Sequence, residues 1–425
     1  MKCLSTGLKP GVNETTFNAE MKKIFEIALG IVTSVGGFLE IGSITTAAQA
    51  GADFSFQLIW AILLGGLCII FLVEQAGRFS AVSGRTIPDA IRERFGFNYF
   101  ALLYVVLGLV SLLVLAAEVG GVCIALELAT GIGLLWWAVP VGFVIWLVIF
   151  KGTFGIIEKG VSVLGLVTLC FVIGAILINP PWSQVLRGAA PSLPQHNSVH
   201  YWFIAVSILG ASISPYLYFF YSSGAIEDEW REGHVGINRI IAIGGMTFGS
   251  LISIAVLILA AMIFAPQGMK VEHYTQLPML LEPVFGHKGF WLLVASLGIA
   301  CLGAALEITL ELAYLTAQGF GWNWSENQPP IAEARFSAAY TAIIILATLV
   351  ALTGIDPLTL TIFSMALTAA TLPVSIVPFL FLMNDSTYVR SYKNGWFSNA
   401  VVILIMALAF VLAIVAIPLQ IFGGS

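Results

Sequence analysis

A single glutamate lies among glycines and a serine in the middle of the first apolar segment of the chain. The segment runs from about Ile24 to Ala50, and Glu40 lies within GGFLEIGS, residues 36–43. A carboxylate near the bilayer centre costs roughly 2.5–3.5 kcal/mol on insertion scales, so acids at this depth usually mark functional sites. The segment therefore indicates a functional site at Glu40.

A second interruption lies in the sixth apolar segment, within LGASISPYLYFF, residues 209–220. Pro215 lacks a backbone N–H and clashes with the preceding turn, which frees carbonyl groups around Ala211. Breaks at corresponding places in two halves of a chain point to a transport site near the membrane midplane. The alternative is a pair of packing kinks, since Gly and Pro are common in spanning helices. Kinks alone do not explain the carboxylate, so the transport site is the favoured interpretation.

The composition is that of a polytopic membrane protein. Of 425 residues, 59% are hydrophobic and 10% charged, and the mean hydropathy is +0.97. Soluble domains carry about 25% charged residues. The formal net charge of −5 gives no indication of nucleic-acid binding. The polar regions contain no nucleophile–base set or catalytic metal motif, so we do not expect an enzyme.

Apolar stretches long enough to span a bilayer as helices divide the chain. The eleven predicted segments are 24–50, 53–77, 99–126, 130–151, 153–179, 200–224, 235–265, 286–318, 333–353, 357–383 and 395–422. We expect a cytoplasmic N-terminal segment (1–23), a first five-helix repeat (24–179), an extracellular loop (180–199), a second five-helix repeat (200–383), and an eleventh helix with a short C-terminus (384–425).

The basic residues predict the orientation. With the N-terminus inside, only Arg187, Lys270 and Lys288 of the 18 Lys and Arg residues fall on the extracellular side. Cytoplasmic loops of membrane proteins carry the excess of Lys and Arg. We therefore expect a plasma-membrane protein with a cytoplasmic N-terminus and an extracellular C-terminus.

Four stretches resemble one family. FLEIGSITTAAQAGADFSFQLIW, AAEVGGVCIAL, ILGASISPYLYFFYSS and LPVSIVPFLF are similar to helices one to two, three, six and ten of the Nramp divalent-metal transporters. The similarity covers about residues 24–383. It implies the all-α LeuT-like (APC) fold, a 5+5 inverted repeat of 11 transmembrane helices with helices 1 and 6 unwound, and a metal site between those two helices.

The resemblance also implies a ligand set, although both family signatures are changed. The helix-one signature Asp-Pro-Gly-Asn reads Glu40-Ile41-Gly42-Ser43 here, and the helix-six signature Met-Pro-His reads Ser214-Pro215-Tyr216. Position by position, the implied metal ligands are the side chains of Glu40, Ser43 and Ser214 and the carbonyl groups of Gly37 and Ala211.

These changes predict a hard ion. Ser214 replaces the family's thioether, and without that soft ligand an oxygen-only site favours Mg²⁺ or Mn²⁺ over softer metals. Ser43 is shorter than the family's Asn, which leaves room for a partly hydrated Mg²⁺. The pattern is most similar to the Nramp-related magnesium transporter branch, so Mg²⁺ is the predicted substrate and Mn²⁺ is expected to pass as well.

Proton coupling is not expected. The family relay uses a helix-six His, an acidic pair in helix three and a basic residue in helix nine. The corresponding positions here are Tyr216, Leu115 with Glu118, and Ala339. The five histidines lie at helix ends or in loops, so the usual carrier of protons near neutral pH is missing from the spans. The membrane potential then drives the flux, at about 2.3 kcal/mol per charge per 100 mV.

Other polar groups are candidates for ion access or water-mediated contacts. They are Tyr216, Glu118 in helix three, Thr371 at the family's helix-ten Gln position, and Glu307, which shares a helix face with Glu311 at i,i+4 spacing. The alternative for the helix-eight pair is a set of hydrogen-bonded packing carboxyls. Glu74 and Arg78 have the same spacing and predict an ion pair at the cytoplasmic end.

Three other functions stay open. They are a proton-coupled Mn²⁺ transporter, an organic-solute carrier of the same fold, and a sensor or channel that does not transport by alternating access. Glu40 would repel the carboxylate of an amino-acid substrate. We expect a monomer in the lipid bilayer with no cofactor and no nucleic-acid partner, the divalent cation being the substrate.

Overall fold

The computed structural model describes residues 40–153, 157, 160, 165–194 and 196–423, and the regular structure in these ranges is helical. The α-helices are α1 (Ile41–Phe54), α2 (Ile59–Ser83), α3 (Ile87–Phe95), α4 (Phe97–Thr130), α5 (Leu134–Lys151), α6 (Leu169–Leu177), α7 (Trp182–Gly188), α8 (Ser198–Ser212), α9 (Pro215–Glu227), α10 (Val235–Ile263), α11 (Glu282–Phe285), α12 (His287–Phe320), α13 (Ala334–Leu352), α14 (Pro357–Leu382), α15 (Ser386–Val389) and α16 (Trp396–Gly423). Short 3₁₀ helices occupy Leu166–Thr168, Glu232–His234, Ala265–Gln267, Tyr274–Leu280 and Arg390–Tyr392.

The helices are long and apolar enough to form a membrane bundle. Within the ranges above, nine helical stretches could cross a bilayer, and a pair bent by 119°, Leu166–Leu177 with Trp182–Gly188, would make ten. The predicted polytopic helical class is confirmed. The predicted segment 24–50 is described only from Glu40 onward and the segment 153–179 only in part, so the count of eleven stays a prediction.

The predicted break at Pro215 is present. The apolar stretch Ser198–Glu227 is divided into α8 and α9, and Ser214 between them is extended, with φ −70° and ψ 123°. Pro215 then occupies the first position of α9, where its missing N–H leaves no hydrogen bond unmade. Helix α1 likewise begins next to an extended residue, because Glu40 has φ −107° and ψ 167°.

Two glycines let α1 and α8 approach their neighbours closely. A Cβ atom added to Gly51 of α1 would lie 2.2 Å from the carbonyl oxygen of Leu257 in α10. One added to Gly210 of α8 would lie 2.2 Å from the carbonyl oxygen of Met365 in α14. Small residues permit this backbone-to-backbone packing between membrane helices. The contacts hold α1 against α10 and α8 against α14.

The two ends of the bundle differ in charge. At the end we call the inner end, Arg78 pairs with Glu74 at 3.1 Å and donates to Asn394 Oδ1 at 2.9 Å. This confirms the predicted ion pair. The opposite, outer end contains a His200–Asp53 contact of 2.9 Å.

Candidate metal site

Glu40 lies at the N-terminus of α1, buried within the bundle. Its side chain and backbone are 1% exposed, and its Oε2 atom accepts a 2.9 Å hydrogen bond from the Tyr216 hydroxyl of α9. The Ser214 side chain lies beside the same carboxyl group. The Oε1 atom of Glu40 is buried and makes no hydrogen bond within the described part of the chain. The carboxylate therefore faces the helix break with one oxygen unused.

Glu118 of α4 is the second buried carboxyl group at this point. Its Oε1 atom accepts a 2.9 Å hydrogen bond from the backbone N–H of Ile41, and Oε2 has no hydrogen-bond partner in the described ranges. The two carboxyl groups are close enough to interact electrostatically. None of the ion pairs in that part of the chain involves either of them. A bound divalent cation would supply the positive charge that this pair lacks.

The two predicted serine ligands lie in the first turn of α1 and between α8 and α9. Ser43 donates from Oγ to the carbonyl oxygen of Glu40 at 2.9 Å. Ser214 donates to the carbonyl oxygens of Gly210 and Ala211 at 3.4 and 3.3 Å. A hydroxyl that donates to a carbonyl can still present an oxygen lone pair to a cation. The predicted carbonyl ligand of Gly37 lies outside the described residues.

Two sulfur atoms lie close to the predicted oxygen-only site. A Cβ atom added to Gly42 would lie 2.6 Å from Sδ of Met365, so the α14 thioether rests directly on α1 two residues from Glu40. A Cβ atom added to Gly121 would lie 2.5 Å from Sγ of Cys301, whose thiol is next to Glu118.

Sequence reasoning missed Met365 because it assigned the α14 contact to Thr371. The Thr371 hydroxyl donates to the carbonyl oxygen of Thr368 at 2.9 Å, a bond within its own helix. Its water-mediated contact with the ion stays a prediction. The position of Met365 in the run TIFSMALTAAT, residues 361–371, was the available signal, since the methionine interrupts a polar stripe of Ser and Thr.

Glu307 of α12 acts electrostatically on the same tyrosine as Glu40. The Tyr216 hydroxyl lies in the electrostatic field of Glu40, Glu307 and Glu118. Glu307 is 6% exposed and Glu311, one turn further along α12, is 1% exposed. The structure thus brings the predicted access residues Tyr216, Glu118 and Glu307 together around Glu40.

A cavity of about 160 Å³ lies toward the outer end, lined by Glu127, His273, Tyr274 and Asp356 among others. The Tyr274 hydroxyl lies 3.3 Å from Thr45 Oγ1 of α1, which donates to it, and 2.8 Å from Thr361 Oγ1 of α14. Tyr274 therefore lies between the outer cavity and α1, and its hydrogen bonds connect two of the helices around the site.

A family profile described as Natural resistance-associated macrophage protein-like matches residues 30–418. The chain belongs to the Nramp family. Among curated proteins, it is 23% identical over 406 residues to the divalent metal cation transporter MntH of Caldanaerobacter subterraneus subsp. tengcongensis, covering 92% of this chain and 93% of that protein.

Solved structures show the fold. A manganese transporter mutant from Eremococcus coleocola superposes with a TM-score of 0.77 at 20% identity, covering 99% of this chain and 90% of the other. Mhp1, a nucleobase-cation-symport-1 family transporter, superposes with a TM-score of 0.61 at 16% identity, covering 93% and 92%. The predicted LeuT-like fold of this Nramp family member is thereby confirmed. These proteins are transporters rather than enzymes, in agreement with the sequence.

Proposed function

We propose that this Nramp family member transports divalent cations across the membrane, taking Mg²⁺ and also Mn²⁺ as partly hydrated ions. The observation that carries the proposal is the pair of buried carboxyl groups at the break, Glu40 and Glu118, each with an unpartnered oxygen within the described residues. Ser43, Ser214 and the Ala211 carbonyl group supply further oxygen ligands. Two carboxylates with hydroxyl and water oxygens are a donor set suited to Mg²⁺.

The thioether of Met365 supports the inclusion of Mn²⁺. Mg²⁺ has little affinity for sulfur, whereas transition metals tolerate a softer ligand. A site with carboxylates on one side and a thioether resting on Gly42 would accept both ions. The same sulfur atom makes softer ions such as Cd²⁺ useful probes of the site.

We also propose that transport is not coupled to protons. All five histidines are among the described residues, and each lies at or beyond the end of a helical span. Tyr216 stands near the carboxylate in place of the family's His, and a phenol, whose ordinary pKa is about 10, stays protonated at neutral pH and does not take up and release protons there. Ala339 in α13 has no proton to exchange. In this proposal the inner end faces the cytoplasm, the N-terminus is cytoplasmic, the C-terminus is extracellular, and the monomer resides in the plasma membrane.

The alternative is proton-coupled Mn²⁺ transport. Its support is the similarity to MntH and to a manganese transporter, together with the buried carboxyl of Glu118, which could take up a proton.

One experiment separates these two functions. Purified protein in proteoliposomes is given Mg²⁺ or Mn²⁺ under a negative internal potential, while ion-sensitive and pH-sensitive dyes are read inside. We expect influx of both ions without acidification, and its loss in Glu40→Ala. Mn²⁺ influx with acidification would establish the coupled transporter, and influx unaffected by Glu40→Ala would exclude this site. The matched control is Glu326→Ala, which removes a buried carboxyl group far from α1.

A further inference from the structure

Two carboxyl groups on α12 extend from the central site toward the inner end. Glu307 and Glu311 are four residues apart, which places them on one face of the helix about 6 Å apart along its axis. Both are buried, at 6% and 1% exposure. We call them the inner carboxyl pair.

The pair is connected to the central site through one hydroxyl group. Tyr216 donates to Glu40 Oε2 at 2.9 Å, and the carboxyl group of Glu307 acts electrostatically on the same tyrosine. An ion that displaces the Tyr216 hydroxyl from Glu40 therefore also lies in the field of the Glu307 carboxyl group. Glu311 follows one helical turn closer to the inner end.

Glu311 is the group that points to a ligand. Both of its carboxyl oxygens are buried, and neither makes a well-formed hydrogen bond within the described ranges. Its polar neighbours are the Ser111 side chain of α4 and Tyr218 of α9, so it faces the seam between α12 and these two helices. An unpaired buried acid is costly, and a carboxyl group that served packing alone would be expected to find donors.

Gln318 shows what a packing residue looks like on the same helix. It is 1% exposed, and its amide donates a 2.9 Å hydrogen bond to the Ser223 hydroxyl of α9. The Oε1 atom of Gln318 is buried without a partner in the described ranges, so Gln318 is satisfied on its amide side only, whereas neither oxygen of Glu311 makes a well-formed hydrogen bond. A carboxyl group that only joined the helices would be expected to have at least one such donor.

We infer that the inner carboxyl pair is a second divalent-cation station, occupied after the ion leaves Glu40 and before it leaves the protein. Two carboxylates, the Ser111 hydroxyl and retained waters would form its donor set. The station rests on the proposed transport function. It lowers the barrier of the inner half of the path, because the ion moves between carboxylates without an intervening apolar stretch.

The first test is a count of bound Mn²⁺ by equilibrium dialysis of the full chain in detergent. We expect the Glu40→Gln variant to lose one class of Mn²⁺ sites and still bind about one Mn²⁺ per chain. The double variant, Glu40→Gln with Glu311→Gln, should bind no Mn²⁺. Loss of all binding in Glu40→Gln alone would overturn the second station.

The second test is Mn²⁺ uptake by proteoliposomes as a function of outside concentration. We expect Glu311→Gln to lower the maximal rate about tenfold and change the half-saturating concentration less than about twofold, since binding from outside uses Glu40. Glu311→Asp, which keeps the charge, should recover part of the rate, whereas a purely structural role predicts no recovery.

Glu326→Gln is the matched control, a buried carboxyl group in the loop between α12 and α13. It should keep the wild-type rate, and an equal loss there would overturn the assignment to Glu311. Thermal unfolding checks that each variant folds. If the wild-type protein moves neither Mg²⁺ nor Mn²⁺, the proposed function itself fails; if it does and Glu311→Gln is unchanged, only the station fails.

Discussion

Two groups of carboxyl groups in this protein have opposite hydrogen-bonding environments. At the inner end, the carboxylate of Glu227 accepts hydrogen bonds from four donors. They are the hydroxyls of Tyr314 and Ser325 at 3.3 and 2.8 Å, the backbone N–H of Glu326 at 2.7 Å and the Asn327 amide at 3.0 Å. These hydrogen bonds from the loop after α12 to Glu227 connect that loop to the end of α9.

Around the helix break the pattern is reversed. Glu40 and Glu118 each keep one buried oxygen without a partner in the described residues, and Glu311 keeps two. Glu227 is half-buried, whereas these three carboxyl groups are almost completely buried, so the deeper groups are the ones with fewer donors. A carboxylate with several donors holds structure together, and a buried one without them is available to a cation.

The distinction between the two groups is tested most directly by replacing each glutamate with glutamine. Glu40→Gln should lower Mg²⁺ uptake about 100-fold or more, because a ligand is lost, and leave the unfolding temperature unchanged or higher. Glu227→Gln should leave Mg²⁺ uptake unchanged. It should cost about 3 kcal/mol of unfolding free energy, because several donors lose their acceptor. Uptake assays and thermal unfolding in detergent measure both. Equal destabilisation by the two variants would contradict the distinction.

The sulfur next to Gly42 allows a test of ion choice. Met365→Leu keeps the volume and removes the thioether, so we expect competition by Cd²⁺ against Mn²⁺ uptake to weaken about tenfold while Mg²⁺ uptake stays within about twofold. Met383→Leu, a buried methionine after the end of α14, is the control. Unchanged Cd²⁺ competition would show that Met365 only packs against α1.

Removing the Tyr216 hydroxyl, which donates a hydrogen bond to Glu40, should give a smaller effect. Tyr216→Phe removes one hydrogen bond, worth about 1 kcal/mol, that the ion must displace. The half-saturating Mg²⁺ concentration should therefore fall about fivefold in uptake assays. Tyr340→Phe in α13 changes a buried tyrosine away from the break and should have no such effect. A rise in the half-saturating concentration for Tyr216→Phe would instead make the phenol a ligand.

The inner-end cluster should respond weakly to pH. Burial, and secondarily the Glu227 carboxylate, raises the pKa of Glu326 to about 9. A raised pKa means that the folded loop favours protonated Glu326, so this contribution to loop stability is complete below about pH 4.5 and declines as pH rises toward 9. Hydrogen-exchange protection of the Glu326 amide should fall over that range and become flat in Glu326→Gln. Protection that rises with pH would contradict the raised pKa of Glu326.

Much of the site was predictable because its signals are local. Pro215 cannot continue a helix, and the break falls beside it as expected. Glu40 was expected as the central acid, and its carboxylate does lie at the start of a helix beside the break. Met365 was not foreseen, because its contact with Gly42 depends on how α14 packs against α1, and the polar stripe around it does not encode that packing.

The sequence by itself determined the membrane class and the helix break before Pro215. These follow from hydropathy and proline stereochemistry, which act over a few residues. The tertiary structure alone decided that Glu118 would accept from the Ile41 N–H, that Tyr216 would donate to Glu40 and that neither oxygen of Glu311 would make a well-formed hydrogen bond. Those partners lie on different helices, and helix rotation and packing choose between them, which no local pattern encodes.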